Sequence, residues 1–307
     1  MKKSTLLLCA FLLFGAQAFS QKVKVVGNEQ VPLPKSQIGY NPVLSPSGDY
    51  VLLTGGDQKG LQKFDLKTQE LRTISTDRGA GFDPCISEDG KHVVFRSQKY
   101  EKRLRYTSVK SVDLESGDEA EILKPTRDLE GLSMKENTVF AVENGALKVR
   151  RISGRKLAQA PAVSSVKKGQ LYLTHNRKTR LLSPAGREVN YLWSAVSPDG
   201  TKLLYYVIEH GKAYVSNLDG SNPVSLGVLR APKWMGNDWV VGMVDRDNGE
   251  TIIESKIVMV AADGRYRTQL TGSSVIATNP SGSADATKIV YNTEDGKIFL
   301  MNLEISQ

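Results

Sequence analysis

A short phrase recurs seven times along this chain: an apolar stretch, a tight polar turn, a compact apolar strand, a second turn, another strand. Its clearest copies carry Ser45-Pro46-Ser47-Gly48, Ser87-Glu88-Asp89-Gly90, Ser197-Pro198-Asp199-Gly200 and Asn279-Pro280-Ser281-Gly282. A unit of about 40 residues built from short strands cannot bury its own apolar face, and its repetition is the mark of a β-propeller.

The turn explains the strand order. In Ser197-Pro198-Asp199-Gly200 the proline fixes φ at the first corner, aspartate bonds locally at the second, and glycine takes the positive φ from which a strand restarts. Behind the turns come Leu203-Leu204-Tyr205-Tyr206, Tyr50-Val51-Leu52-Leu53, His92-Val93-Val94-Phe95 and Lys288-Ile289-Val290-Tyr291. Continuous apolar runs of this length are strands covered on both faces. A third strand then runs into turns such as Asp219-Gly220 or Asp263-Gly264, and a half-polar fourth closes the unit, as in Arg265–Leu270. Degenerate units lie around Thr138–Val149 and Leu171–Leu182, and a third replaces the Ser-Pro turn with Gly236-Asn237-Asp238. The expected fold is all-β: a seven-bladed propeller of four-stranded antiparallel blades, with six blades the alternative. The last unit stops near Asn302-Leu303-Glu304 without a fourth strand, so an N-terminal segment at Gln30-Val31-Pro32-Leu33-Pro34 is expected to supply it and close the ring.

Residues 1–20 read as a cleaved leader: Lys2 and Lys3, an apolar run from Leu6 to Phe14, and the small residues Ala16 and Ala18. Cys9 sits inside that run after three leucines, which is not the setting of a lipidated cysteine. The expectation is an exported chain, periplasmic or secreted, whose residues 21–307 form one domain. One cysteine then remains, Cys85, which excludes an internal disulfide and reads as a buried thiol. Charge is unevenly spread. From residue 144 to 187 there is no acidic residue, while Lys148, Arg150, Arg151, Arg155, Lys156, Lys167, Lys168, Arg177, Lys178, Arg180 and Arg187 all fall there.

The Ser-x-x-Gly turns, the strands behind them and the Leu218-Asp219-Gly220 turn resemble those of the TolB-like family of propeller repeats. The resemblance implies a periplasmic binding module, with partner peptides received at a channel mouth, or the non-catalytic propeller of a larger peptidase. The repeats are expected to make up the one domain of residues 21–307, without the additional N-terminal domain of TolB, so the role of TolB itself is not expected to transfer.

Residue supply argues against most chemistry. There is no Gly-x-Ser-x-Gly elbow, no glycine-rich phosphate loop, and the three histidines, His92, His175 and His210, fall in three different units. No catalytic residue, metal or cofactor is assigned. The run Asp245-Arg246-Asp247-Asn248-Gly249-Glu250 has the glycine misplaced for a calcium loop and reads as a hairpin tip. The remaining surface is the channel mouth opposite the Ser-Pro-Asp-Gly turns, where the segments leading into the inner strands place Tyr40, Phe82, Tyr191, Trp193, Arg230 and Trp234. Aromatics with arginine at a concave rim have the composition of binding hot spots. For Trp193 and Trp234 packing between blades is the competing reading. The cationic run suits an acidic protein, anionic lipid or polysaccharide. Nucleic acid is excluded by compartment and by the lack of interleaved aromatics. Two functions stay open: an envelope scaffold receiving a protein or peptide at the mouth, and a lyase acting on an acidic polysaccharide, which would need the basic residues to converge with a histidine on the channel.

Overall fold

A computed structural model describes residues 22–35 and 37–306. The expected leader, Cys9 included, lies outside the described residues. Among the described residues there are 26 strands and no α-helix. The chain begins with β1 (Lys22–Gln30) and then lays down seven antiparallel sheets in succession. Blade 1 is β2 (Tyr40–Leu44), β3 (Tyr50–Thr54), β4 (Lys59–Asp65) and β5 (Leu71–Arg78). Blade 2 is β6 (Cys85–Ile86), β7 (His92–Glu101), β8 (Leu104–Asp113) and β9 (Glu119–Thr126). Blade 3 is β10 (Leu129–Lys135), β11 (Thr138–Glu143) and β12 (Ala146–Arg151); blade 4 is β13 (Val163–Lys167), β14 (Gln170–His175) and β15 (Lys178–Leu182). Blade 5 is β16 (Tyr191–Val196), β17 (Lys202–Val207), β18 (Lys212–Asn217) and β19 (Val224–Gly227). Blade 6 is β20 (Arg230–Met235), β21 (Trp239–Asp247), β22 (Ile252–Ala261) and β23 (Arg267–Gln269). Blade 7 is β24 (Ala277–Gly282), β25 (Lys288–Thr293) and β26 (Ile298–Ser306), with β1 as its fourth strand.

The seven-bladed propeller is therefore the fold, and the ring is closed by the N-terminal strand. Two details differ from the sequence expectation. The closing strand is not the Pro-flanked segment after Gln30 but Lys22–Gln30 ahead of it, registered against β26 from Lys22↔Ser306 to Gln30↔Phe299. Val23 and Val25 turn inward and Lys22 and Lys24 outward, the alternation of an outer strand with one wet face. Pro32 and Pro34, which cannot donate to a ladder, form the connector into blade 1. In addition, blades 3 and 4 have three strands each, so β12 and β15 are the outermost strands there.

The core is a set of layers between blades. Seven clusters of buried side chains serve the seven blade-to-blade interfaces. The second strand of each blade feeds two of them, because successive side chains point to opposite faces. Val51 and Leu53 pack toward blade 7, whereas Tyr50 and Leu52 pack toward blade 2. Val93 and Phe95 face blade 1, and Val94 faces blade 3. Continuous apolar runs are what such a doubly covered strand requires. The thinnest layers flank blade 3, with Val94, Val109 and Val139 on one side and Phe140, Val142 and Val163 on the other.

The polar turns do more than reverse the chain. Ser87 Oγ, Ser197 Oγ and Ser283 Oγ donate to the aspartate two residues on at 2.6, 2.6 and 2.5 Å, and each accepts a backbone N–H from the start of the second strand. Bonds between turns then stitch blade to blade. Tyr50 Oη donates to Gly90 O, Asn137 Nδ2 to Asp89, Lys135 Nζ to Pro198 O, Asp199 N to Asn237 and Lys288 Nζ to Gly48 O. This face of the wheel is committed to its own structure.

The set also corrects one turn. Asn279-Pro280-Ser281-Gly282 is not the fourth copy; it lies on the inner strand β24, and the turn of blade 7 is Ser283-Ala284-Asp285-Ala286. Asn279 is instead the counterpart of Asn41, Asp83, Trp193 and Ala231. All five have φ between 46 and 52°; four of them lie four residues before the turn serine, and Ala231 lies four before Met235, which ends β20. Register shifts flank four of them, marking a bulge on the inner strand. Gly282, which completed the false turn, is glycine for another reason: a Cβ there would meet the Met235 side chain of blade 6 at 2.3 Å.

Candidate functional site at the channel mouth

Because successive strands of every blade are antiparallel, the segments leading into the inner strands lie on the same face as the hairpins between second and third strands, opposite the stitched turns. The inner-strand bulges shape this upper mouth. Asparagine and aspartate tolerate the left-handed region; tryptophan does not, and Trp193 at φ 47° carries roughly 1–2 kcal/mol of backbone strain. What the strain supports is a ring 39% exposed, held edge-on to Tyr206 at 5.0 Å.

Next to it lies an ion pair of unequal halves. Arg230 Nη1 donates to Asp245 Oδ2 at 2.9 Å, with the arginine side chain 41% exposed and the aspartate side chain 0% exposed. The other carboxylate oxygen, Oδ1, is buried with no hydrogen-bond partner among the described residues. Asp245 is carried there by the long β21–β22 hairpin, where it stands opposite Ser255. Tyr206 shares the spot: burial raises its hydroxyl above the ordinary tyrosine range, with Arg230 opposing and Asp245 reinforcing. Across the ring, Phe82 is exposed beneath the Arg96 guanidinium at 5.1 Å, and Arg96 Nη1 donates to the carbonyls of Phe82 and Asp83 at 3.1 and 3.0 Å. Lys233 on β20 is held in a desolvated position. Desolvation lowers the Lys233 ammonium below its ordinary value and the Asp83 carboxylate works against that shift. A desolvated carboxylate oxygen with one guanidinium group and the exposed Trp193 ring on its side of the mouth, and Phe82 with Arg96 across it, can accept an N–H or ammonium while apolar groups pack on the rings.

The six rim residues chosen from sequence thus divide. Trp193, Phe82 and Arg230 stand partly exposed at the mouth. Tyr40 is half-buried, its hydroxyl 3.5 Å from Glu294 O. Tyr191 is 2% exposed, edge-on to Tyr205, with its hydroxyl donating to Gly186 O and accepting from Ala185 N. Trp234 packs between blades 5 and 6 and donates Nε1–H to Ala195 O at 3.1 Å. Asp245 and Arg96 were missed. Asp245 lies in the acidic run that reads as a hairpin tip; its neighbours Asp247 and Asn248 do form that tip, accepting backbone N–H groups of Gly249, Glu250 and Thr251. Nothing local distinguishes the one that turns inward.

Elsewhere the chemistry is quiet. Among the described residues no three His, Cys, Asp or Glu side chains come together as a metal site. Burial, helped by the Asp83 carboxylate, pushes the Cys85 thiol up to about 12, which keeps it protonated and poorly nucleophilic. The basic run lies away from the channel for the most part. Lys148, Arg150 and Arg151 are on β12 and Lys178 and Arg180 on β15, both outermost strands. Arg155 and Lys156 follow β12, Arg177 is in the β14–β15 turn, and Lys167 and Lys168 are at the β13–β14 turn, with Lys167 Nζ 2.5 Å from Glu130. They do not gather with His175 on the channel.

No known protein-family model matches this chain, and no curated protein matches it in sequence. Solved structures do match in shape. TolB from Acinetobacter baumannii superposes with a TM-score of 0.53 at 16% identity, over 78% of this chain and 56% of that one. The two chains share a propeller fold. The match spans little more than half of the TolB chain, and identity this low speaks for fold alone. An oligogalacturonate lyase in complex with manganese aligns at 14% identity over 86% of this chain and 76% of its own, with a TM-score of 0.48. Among the described residues no helix is long and apolar enough to cross a membrane.

Proposed function

We propose that this protein is a binding module of the cell envelope, exported by its N-terminal leader, that receives a polypeptide segment of a partner at the upper channel mouth. One observation carries the reading: the buried Asp245 carboxylate has an unpaired Oδ1 beside exposed Trp193 and Arg230. A buried acceptor without a donor costs about 1–3 kcal/mol, which a ligand N–H recovers on binding. The neighbouring aromatics supply apolar contact area at low entropic cost. The TolB-like fold agrees with a binding role, and the opposite face is occupied by its own turn-to-turn bonds.

The test is site-specific photo-crosslinking in cells that make the protein, with the crosslinker at Phe82 or Trp193 on the mouth and at Pro198 on the stitched face. A discrete polypeptide adduct from the mouth positions, lost in Arg230→Ala, is the expected result. Adducts of equal yield from both faces, or none from the mouth, would overturn the reading.

A further inference from the structure

Blades 1, 2, 5, 6 and 7 each have a fourth strand, and blade 3 stops at β12. The chain that follows, residues 152–162, makes one backbone bond near its start, Ile152 N to Asn137 O at 2.8 Å, and none to β12 among the described residues. The outward ladder positions of β12 are therefore open over six residues, about 20 Å of strand at ~3.3 Å per residue. Grooves lie on both flanks of that strand. The larger, about 950 Å³ between blades 3 and 4, has an apolar floor of Phe140, Leu147, Val149 and Leu157. The smaller, about 500 Å³ toward blade 2, exposes the alternate side chains Lys148 and Arg150 together with Lys124, against Glu121 and Glu143, the latter 3.6 Å from Lys148 Nζ.

We propose that the β12 edge accepts an extended acidic polypeptide segment as the fourth strand of blade 3. The ladder geometry provides the backbone bonds and the pleat sorts the side chains. A strand added beside β12 sets one row of side chains against Leu147 and Val149, the latter 49% exposed, and the other row opposite Lys148 and Arg150. The matching segment alternates apolar and acidic residues, since opposite charges stabilise a cross-strand pair and like charges oppose it. Further cations, Arg151, Lys156 and Arg177, rim the larger groove, whose lining contains no acidic residue. The same charges select against a second copy of this chain, because β12 paired with β12 would bring Lys148 and Arg150 up against lysine and arginine. This surface is on the outside of the wheel, separate from the channel mouth, and does not depend on that site.

The experiment uses the whole protein and a fluorescein-labelled, end-capped eight-residue peptide of alternating Glu and Val, followed by anisotropy at low salt. Binding is expected, weakened at least tenfold by the charge swap Lys148→Glu with Arg150→Glu, and at least tenfold when every Glu is replaced by Lys, that is, in the alternating Lys-Val peptide. N-methylation of every second residue blocks one edge of the peptide. Of its two phases, the one that blocks the ladder should cost at least tenfold and the other little. A spin-labelled peptide should broaden the methyl signals of Leu147 and Val149. Equal binding by both N-methylated phases would leave only a polyanion-attracting patch and overturn the proposal. So would broadening of Ala231 in the channel instead, self-association through β12 seen by sedimentation, or no binding at millimolar peptide, which would leave the lysines and arginines as mere guards of an open edge.

Discussion

Replacing Arg230 by methionine removes the cation and keeps most of the aliphatic stem. It leaves the Asp245 carboxylate buried with neither oxygen paired. Two unit charges near 3 Å attract by ~5–6 kcal/mol at the effective dielectric of a protein interior. Removing one partner of a buried pair generally costs about 3–5 kcal/mol. The Arg230 side chain, however, is 41% exposed, so water takes over part of its role in the variant, and about 2–3 kcal/mol is the expected loss. Asp245→Leu should cost less, about 1 kcal/mol, because the orphaned guanidinium can turn to solvent. The double variant should fall within about 1 kcal/mol of the parent, since an apolar pair of similar volume replaces a desolvated ionic one at little net cost. Urea titration of all four proteins at neutral pH, compared by midpoint at a common slope, measures the cycle. If Arg230→Met shifts stability by less than 0.5 kcal/mol (about the scatter of an ordinary surface substitution), or if the double variant shows the plain sum of the single losses, Asp245 is not held as described and the binding argument built on its free oxygen fails with it.

Three other outcomes follow from the turns and the ring closure. Gly200 sits at φ 78° with no atom within 4 Å of a built Cβ, so Gly200→Ala introduces strain without a clash and should cost about 1 kcal/mol in thermal or urea unfolding. Asp49, Asp89, Asp199 and Asp285 are all held below the ordinary carboxylate range: burial acts against the shift, and bonds from turn hydroxyls and N–H groups outweigh it. A depressed folded pKa gives stability that is full above the unfolded value near 3.9 and is lost as the pH falls through the folded one. Midpoints measured from pH 6 to pH 2 should therefore drop below about pH 4, and Asp199→Asn should make that drop shallower. Val25 packs inward from β1 against the blade 6 and 7 cluster, so Val25→Asp should cost about 2–3 kcal/mol and expose residues 22–30 to limited proteolysis before the rest of the ring.

What could be read from sequence was whatever lies within one blade. The Ser-x-Asp-Gly turn, the apolar second strand and the Asp-Gly second turn are all local, and together they point to a propeller, with seven blades expected and six the alternative. Errors arose where local chemistry is ambiguous. Asn279-Pro280-Ser281-Gly282 has the composition of a turn, yet Asn-Pro here forms the inner-strand bulge and Gly282 answers to Met235 of the next blade. Gln30-Val31-Pro32-Leu33-Pro34 reads as the segment that closes the ring because it precedes the first unit and the last unit lacks a strand, whereas an outer strand needs only alternate apolar residues, as in Lys22-Val23-Lys24-Val25. The mouth was legible as a region but not as a geometry. Asp245 reaches Arg230 by the length of one hairpin, and Lys233 meets the field of Asp83 only after the ring has brought together residues 150 positions apart.

The missing fourth strands of blades 3 and 4 follow from where the fold keeps its stability. Buried side chains concentrate on the second and third strands, and an outer strand adds a ladder with one wet face. The ring is held by the seven inter-blade layers and one exchanged strand, β1, which sits in blade 7, so losing an outer strand elsewhere does not open it. What the loss does create is a row of unpaired N–H and C=O groups, the usual nucleus of edge-to-edge aggregation. Lysine and arginine on β12 and β15 oppose pairing with another copy, yet the same charges leave an edge that a strand of opposite charge can join. An acid-free run of 44 residues that covers both open strands is then one physical device with two consequences, exclusion of self and selection of an acidic partner.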